Sequence, residues 1–239
     1  MTNPLIQKLE TRDTLSQAER EALNRLTYHV RTCRFGEVLV RQDQRLREST
    51  LLLDGFAART KTLRSGKRQI VAIHVVGDFV DLHSFLLKRI DHSIEALTPC
   101  TVATVPHTEL EAITEAFPHL TRMLWLSTVM DAAIHRAWIV AMGRLSSLAQ
   151  LAHFVCEMFL RLQTVGLTEG QSFRLPFTQI ELGDILGLSS VHVNRVLQDL
   201  RARGLLRWQD QLVTIEDWDA LSRLAEFDPT YLSLQHERR

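Results

Sequence analysis

The sequence predicts an α+β fold in three parts: an N-terminal β-roll of the double-stranded β-helix or jelly-roll type, one long helix, and a C-terminal helix-turn-helix with a β wing. Three observations carry this expectation. Short apolar or alternating runs separated by turn signals fill the stretch from about Val30 to Val105. An apolar stripe at intervals of three and four runs from Leu120 to Ala141. Thr178 to Leu200 reads as two short helices joined at a glycine. Many short strands at such spacing suit a small sandwich or barrel, and the three-four stripe suits a helix. The boundaries expected are residues 1–117, 118–146 and 147–239.

Residues 5–30 read as short helices, with Ser16 and Glu19 placed as a capping box. Val38–Val40, Ser49–Leu53, Phe56–Leu63, Gln69–Val76 and Thr101–Val105 read as strands. Turns fall at Phe35-Gly36-Glu37, Asp54-Gly55, Arg64 to Lys67 and Gly77-Asp78. Pro118 then stands at a favoured helix start. Leu120, Met123, Ser127, Met130, Ile134, Ala137 and Ala141 form a heptad-like seam suited to a second copy of the helix, and hence to a homodimer. The same stripe also suits packing on the chain's own β domain, with Leu124 and Trp138 beside it. Ser127 is the polar member that would leave such a helix pair adjustable. Gly143 to Ser147 interrupts the helix as an interdomain hinge. A helix over about 147–164, a glycine-containing loop at 166–170, the helix-turn-helix, a two-stranded wing around Leu205–Ile215 and an acidic helix from near Asp217 complete the chain.

Within the helix-turn-helix, Leu182, Ile185 and Leu186 give the first helix an apolar face, and Gly187 permits the turn. Ser189 caps the next helix. Val193, Val196, Leu197 and Leu200 bury one of its faces. The opposite face carries Ser190, His192, Asn194 and Arg195, which suits a recognition helix over 190–203 lying in the major groove of double-stranded DNA. Thr178 and Gln179 stand where phosphate anchors are useful. An ordinary helical hairpin with a wet face is the bland alternative, and an interaction module that has lost DNA binding is the other. Local charge favours DNA: Arg174 to Arg207 carries a net +2, while Trp208 to Arg239 carries −4 and is expected to point away from phosphate.

Composition adds bounds rather than identity. The 239 residues are 45% hydrophobic and 23% charged, with Lys plus Arg and Asp plus Glu both at 28, so net charge neither supports nor excludes nucleic acid. Cys33, Cys100 and Cys156 lie far apart in sequence, which argues against a disulfide framework, a zinc site or an iron–sulfur cluster and for buried thiols. The polar N-terminal stretch and the lack of an apolar run of about 18 residues suit a cytoplasmic protein with no membrane partner. No glycine-rich phosphate loop, nucleophile elbow or metal-ligand pair is visible, so an enzyme is not expected and no metal site is assigned.

Three segments carry a family resemblance: Phe35-Gly36-Glu37-Val38-Leu39 with Leu51 to Phe56, Val76-Gly77-Asp78-Phe79-Val80, and Gly187 to Arg195. In order and in residues the chain resembles the Crp/Fnr family of bacterial transcription regulators. The resemblance implies a homodimer on a two-fold-related DNA site, contact with RNA polymerase, residues 1–117 as an effector-sensing domain, 118–146 as dimerisation helix and hinge, and 147–239 as the DNA-binding domain. Arg195 matches the family's guanine-reading arginine, able to grip O6 and N7 together. Val191 stands where the family commonly has a glutamate, so the half-site is expected to differ. The effector region is expected around Asp81, Leu82, His83, Arg89, His92 and Ser93. It departs from the cyclic-nucleotide cassette: Leu82 falls where a glutamate is expected, and no arginine-serine pair is in register. His83 matches a haem-ligating histidine of one branch, which makes haem or a cyclic nucleotide the minor alternatives to an unidentified effector or none. The cysteine cluster of the oxygen-sensing branch is missing.

Overall fold

The computed structural model describes residues 3–26 and 29–239. The chain opens with two short helices, α1 (Pro4–Glu10) and α2 (Gln17–Arg25). Asn3 caps the first, and the Ser16–Glu19 capping box starts the second, satisfying amides that the helix itself leaves free. Seven antiparallel strands follow: β1 (His29–Cys33), β2 (Val38–Val40), β3 (Glu48–Asp54), β4 (Ala57–Thr62), β5 (Arg68–His74), β6 (Ser93–Ala96) and β7 (Cys100–Pro106). They form two sheets, in the orders β1-β7-β3 and β2-β6-β4-β5. The runs expected from sequence match β2, β3, β4, β5 and β7. Strands β1 and β6 were not expected: His29-Val30-Arg31-Thr32 is exposed along its length and holds no apolar alternation, and β6 alternates, with Ile94 and Ala96 buried, over only four residues. Between the sheets, Cys33, Val40, Leu52, Val80, Ile94 and Val102 join a packed apolar interior. Cys33 and Cys100, 67 positions apart in sequence, are register partners across β1 and β7; both are free and buried, as is Cys156.

Gly55 ends the β3–β4 turn at φ +87°, and a Cβ there would meet the Pro99 carbonyl at 2.5 Å, so both backbone angle and space demand glycine. A one-turn helix, α3 (Ser84–Leu87), precedes β6, and α4 (His107–Ala116) leads into the long α5 (Pro118–Arg144). Helix α5 packs one face on the β-roll and the other side of its second half on α6 (Ser147–Gln163). The break between α5 and α6 falls at Leu145, in extended backbone, with Ser146 capping α6. Gln150 of α6 donates to the carbonyls of Leu145 (3.0 Å) and Met142 (3.4 Å), covering the end of α5.

The C-terminal unit continues with β8 (Thr168–Glu169), β9 (Ser172–Arg174), α7 (Gln179–Leu186), α8 (Ser190–Ala202), β10 (Leu206–Gln209), β11 (Leu212–Ile215) and α9 (Trp218–Leu224). The wing is therefore a four-stranded sheet, β10-β11-β9-β8, larger than the two strands expected. No helix among the described residues is long and apolar enough to cross a membrane.

Five of the seven seam residues read from sequence are buried within the chain, while Ser127 and Ala137 are half-buried. Leu120 and Met123 are fully buried among the leucines of α1 and α2, and Ile134 lies in the core shared with α6. Met130 and Ala141 are buried too, and Ser127 gives its hydroxyl to the Met123 carbonyl four residues back. Period alone could not separate the two faces, since both repeat at three and four. The face left exposed is Trp125 (68%), Val129, Ile139 and Val140, with Ala132 on the same stripe.

Candidate nucleic-acid interface and effector region

Helix α7 starts at Thr178, whose hydroxyl accepts from the Glu181 amide, while the Glu181 carboxylate accepts from the Thr178 amide and hydroxyl. Threonine three residues before glutamate is a sequence signal for this box that the reading of Thr178 as an anchor passed over. The Thr178 hydroxyl is therefore committed to the cap, and Gln179 stands exposed beside it. Gly187 closes α7 in the left-handed region, φ +68°. Gly183 permits the close approach of the turn, because a Cβ there would meet the Leu188 carbonyl at 2.5 Å.

Ser189 accepts from the His192 amide and starts α8, whose Val193, Val196, Leu197 and Leu200 are buried. Asn194 and Arg195 point outward with Ser190 and His192 at the margin, and Arg195 reaches His192 at 3.3 Å. Val191 is 80% exposed. Other arginines nearby are spoken for: Arg203 pairs with Asp199, Arg207 with Glu216, and Arg201 donates to the Trp208 carbonyl. Arg195 thus stands on the outward face of α8 without an acidic partner among the described residues, and with free donors to offer a base edge.

The opposite side of α7 is docked on the β-roll. Asp184 binds Arg68 of β5 at 2.8 Å, Gln69 donates to the Ile185 carbonyl, and the rings of Phe56 and Phe177 meet edge to face at 5.2 Å. The C-terminal residues do not hang free. Leu232 accepts from Arg12, Glu237 donates to the Arg12 carbonyl, and Tyr231 bonds Glu157 at 2.8 Å, so the acidic segment closes over α1 and α6.

The six effector candidates do not converge. Asp81 is buried, accepting from the Thr50 amide at 2.6 Å, and burial pushes its carboxyl up to about 7. Leu82 packs among the α1 leucines. Arg89 lies at the surface, and the Ser93 hydroxyl accepts from the Gln42 amide. His83 and His92 meet, with rings 5.1 Å apart, and His83 lines a small cavity with Leu82. Burial, then Arg59 and His92, hold His83 down at about 4. The Nε2 atoms of both are buried without partners among the described residues.

Neither minor alternative fits these residues. A cyclic nucleotide finds a leucine at its carboxylate position and no arginine-serine pair, while apolar side chains fill the space between the sheets. Haem at His83 meets the His92 ring and a neighbouring cavity of about 70 Å³, far too small for a porphyrin.

The residues that sequence reasoning missed lie between the domains. Glu157 and Arg161 bond at 3.0 Å on α6. Glu157 also accepts from the Trp138 indole of α5, and Arg161 reaches the Ile73 carbonyl and Asp78 of the β-roll. Their signal was available: they are the one carboxylate and the one arginine of α6, at i, i+4 in a helix rich in apolar residues.

Comparison with known proteins follows the same division. The cyclic nucleotide-binding domain family matches residues 30–117, and the Crp-like helix-turn-helix domain family matches residues 149–224. The transcriptional activator protein FnrA of Stutzerimonas stutzeri is 24% identical over 212 residues, 89% of this chain and 86% of that protein. The fumarate and nitrate reduction regulatory protein of Escherichia coli K12 is 23% identical over 89% of this chain and 84% of its own length. Among solved structures, FixK2 from Bradyrhizobium japonicum superposes with a TM-score of 0.74 at 25% identity, covering 82% of this chain and 96% of FixK2. A CooA mutant from Carboxydothermus hydrogenoformans shares the fold at TM-score 0.67 and 16% identity, over 92% of this chain and 95% of that one.

Proposed function

The chain belongs to the Crp/Fnr family of DNA-binding transcription regulators, and from that premise we propose that it acts as a homodimer reading a palindromic promoter site, with residues 190–203 in the major groove of each half-site. The observation that carries this is the outward face of α8, where Asn194 and Arg195 are exposed on a helix whose other face is anchored in the core. Arg195 reads guanine with two hydrogen bonds, and Ser190, His192 and Asn194 add base or phosphate contacts. Val191 has no acceptor to offer cytosine, so the half-site differs from the one read through a glutamate. Phosphate approaches the N-terminal amides of α7 beside Gln179, where the helix dipole favours an anion.

The second copy joins through the outward stripe of α5. Trp125, Val129, Ala132 and Ile139 recur at three, four and seven, leave a face without a partner among the described residues, and give a two-fold pair the self-complementary surface it needs. The dimer works in the cytoplasm, where its three free thiols are stable, and meets RNA polymerase at the promoter. It does so without haem or cyclic nucleotide.

The test is selection of bound duplex from a random pool by the purified protein with no added ligand. Enrichment of a palindrome is expected. Folded, dimeric protein that enriches nothing overturns the reading of a DNA-competent resting dimer. Val129→Glu is expected to give monomer in sedimentation and to lose the palindrome; a dimer of unchanged affinity places the contact elsewhere.

A further inference from the structure

The residues after α9 tie the DNA-binding unit to the start of the chain, and they lie beyond the residues, 149–224, that match the Crp-like helix-turn-helix domain. Glu226 turns the chain back in the left-handed region, φ +45°, with the Phe227 amide donating to the Ser222 carbonyl. Asp228 then caps a single 3-10 turn (Pro229–Leu232), which lies against α5. On one side this segment holds α6. The Tyr231 hydroxyl donates to Glu157 at 2.8 Å and meets the His153 Nε2 at 3.1 Å, and the Phe227 ring stands 5.1 Å from the His153 ring. On the other side it holds the turn after α1. The Glu237 amide donates to the Arg12 carbonyl at 2.8 Å, the Arg239 amide donates to Asp13, and His236 meets the Thr14 hydroxyl at 3.3 Å.

Arg12 is the seat of this segment. It is 4% exposed and has no carboxylate partner among the described residues, with Lys8, Arg59 and Arg161 gathered beside it. Its guanidinium donates to the Lys8 and Leu232 carbonyls and to the Thr11 hydroxyl, all neutral. A buried cation held by neutral acceptors loses heavily when one of them leaves, so Arg12 and the buried Leu232 resist separation. A further attachment runs through α7, where Asp184 binds Arg68 and Gln69 donates to the Ile185 carbonyl. Domains joined only by a linker swing about it, and each added attachment removes part of that freedom. The linker at Leu145, the α7 contact and the segment after α9 are three attachments that use different residues.

We propose that residues 228–239 form a strap that fixes the DNA-binding unit against the N-terminal helices, and so presents α8 to DNA without a ligand to orient it. The partners of the strap are α1, the turn after it, α5 and α6, not residues 81–93 or α8. Presentation of α8 rests on the resting dimer being DNA-competent, as proposed above; the fixing of the two units does not.

The test uses the full chain carrying Glu237→Pro, which removes the amide that reaches Arg12, together with Tyr231→Phe, which removes the hydroxyl that reaches Glu157. Two quantities are measured: trypsin cleavage after the exposed Arg144 beside the linker, followed by mass spectrometry, and the Kd for the selected duplex. The variant is expected to be cut there about fivefold faster, because cleavage tracks the population of the open form, and to bind about tenfold more weakly. Arg195→Ala should weaken binding and leave the cleavage rate as it was. Glu237→Pro alone, at an exposed position, serves where the double variant does not fold, with a change of about twofold in each quantity and in the same directions. Cleavage no faster than in the parent overturns the strap. Faster cleavage with unchanged or tighter binding overturns its part in presenting α8. A parent chain that binds no duplex overturns the DNA-competent reading instead, and the cleavage rate then decides the strap by itself.

Discussion

The outward face of α8 and the joint around Glu157 are built by opposite means. On α8 the functional side chains are those left with few neighbours: Asn194 and Arg195 stand in water because Val193, Val196, Leu197 and Leu200 hold the helix down from behind. At the joint every functional side chain is surrounded. Glu157 takes bonds from Trp138, Arg161 and Tyr231, which come from α5, α6 and the C-terminal residues. A reading surface must keep its donors free for a partner, whereas a joint between domains must leave none over. The comparison makes Arg12 stand out, because it is buried like a joint residue and unpaired like a reading residue.

The largest expected effect comes from breaking the joint. Glu157→Ala leaves the buried Arg161 guanidinium with Asp78 as its one carboxylate among the described residues and takes the acceptor from the Trp138 indole and the Tyr231 hydroxyl, and should cost about 3 kcal/mol of folding stability, measured by urea unfolding. A loss below about 1 kcal/mol would show that the joint contributes little. Next is Asp81, buried like the joint but on the effector side. Its folded pKa of about 7 lies above its ordinary 3.8, so the folded chain holds this proton where the unfolded chain has already released it. Stability from this group therefore falls as pH rises from about 4 to about 7. Asp81→Asn should gain on the parent across that window by up to a few kcal/mol, since a shift of one unit is worth about 1.4 kcal/mol. Unfolding curves taken through the window separate this from His83, which pulls the other way; a difference that does not vary with pH contradicts it.

Smaller effects sharpen the reading surface. Arg195→Ala should cost about 1–3 kcal/mol at one base position and relax preference there, with stability unchanged; unaltered preference in a repeated selection sinks the assignment. Thr178→Ala should remove about 1 kcal/mol of stability through the lost cap and leave the salt dependence of DNA binding as it was. A shallower salt slope would instead return Thr178 to the role of phosphate anchor.

Much of the fold was legible before any coordinates. Gly187, Ser189 and the apolar positions of α8 define the helix-turn-helix, because capping and amphipathic spacing are local properties written in neighbouring residues. Strands β2 to β5 and β7 announced themselves through apolar runs and glycine turns for the same reason. Three things were not legible. The inward and outward faces of α5 share one period, and only the position of α1, α2 and α6 settled that Leu120 and Met123 go in while Trp125 and Val129 stay out. Asp81 and His83 are close in sequence yet turn to different neighbours, Thr50 in one case and His92 in the other. The cluster of Lys8, Arg12, Arg59 and Arg161 spans some 150 positions, so nothing in its local sequence marks it. The sequence determined which segments are helix, strand and turn and which face of α8 is polar. The tertiary structure alone decided which charges meet, because pairing across that separation is fixed by the packing of whole elements and not by the residues on either side.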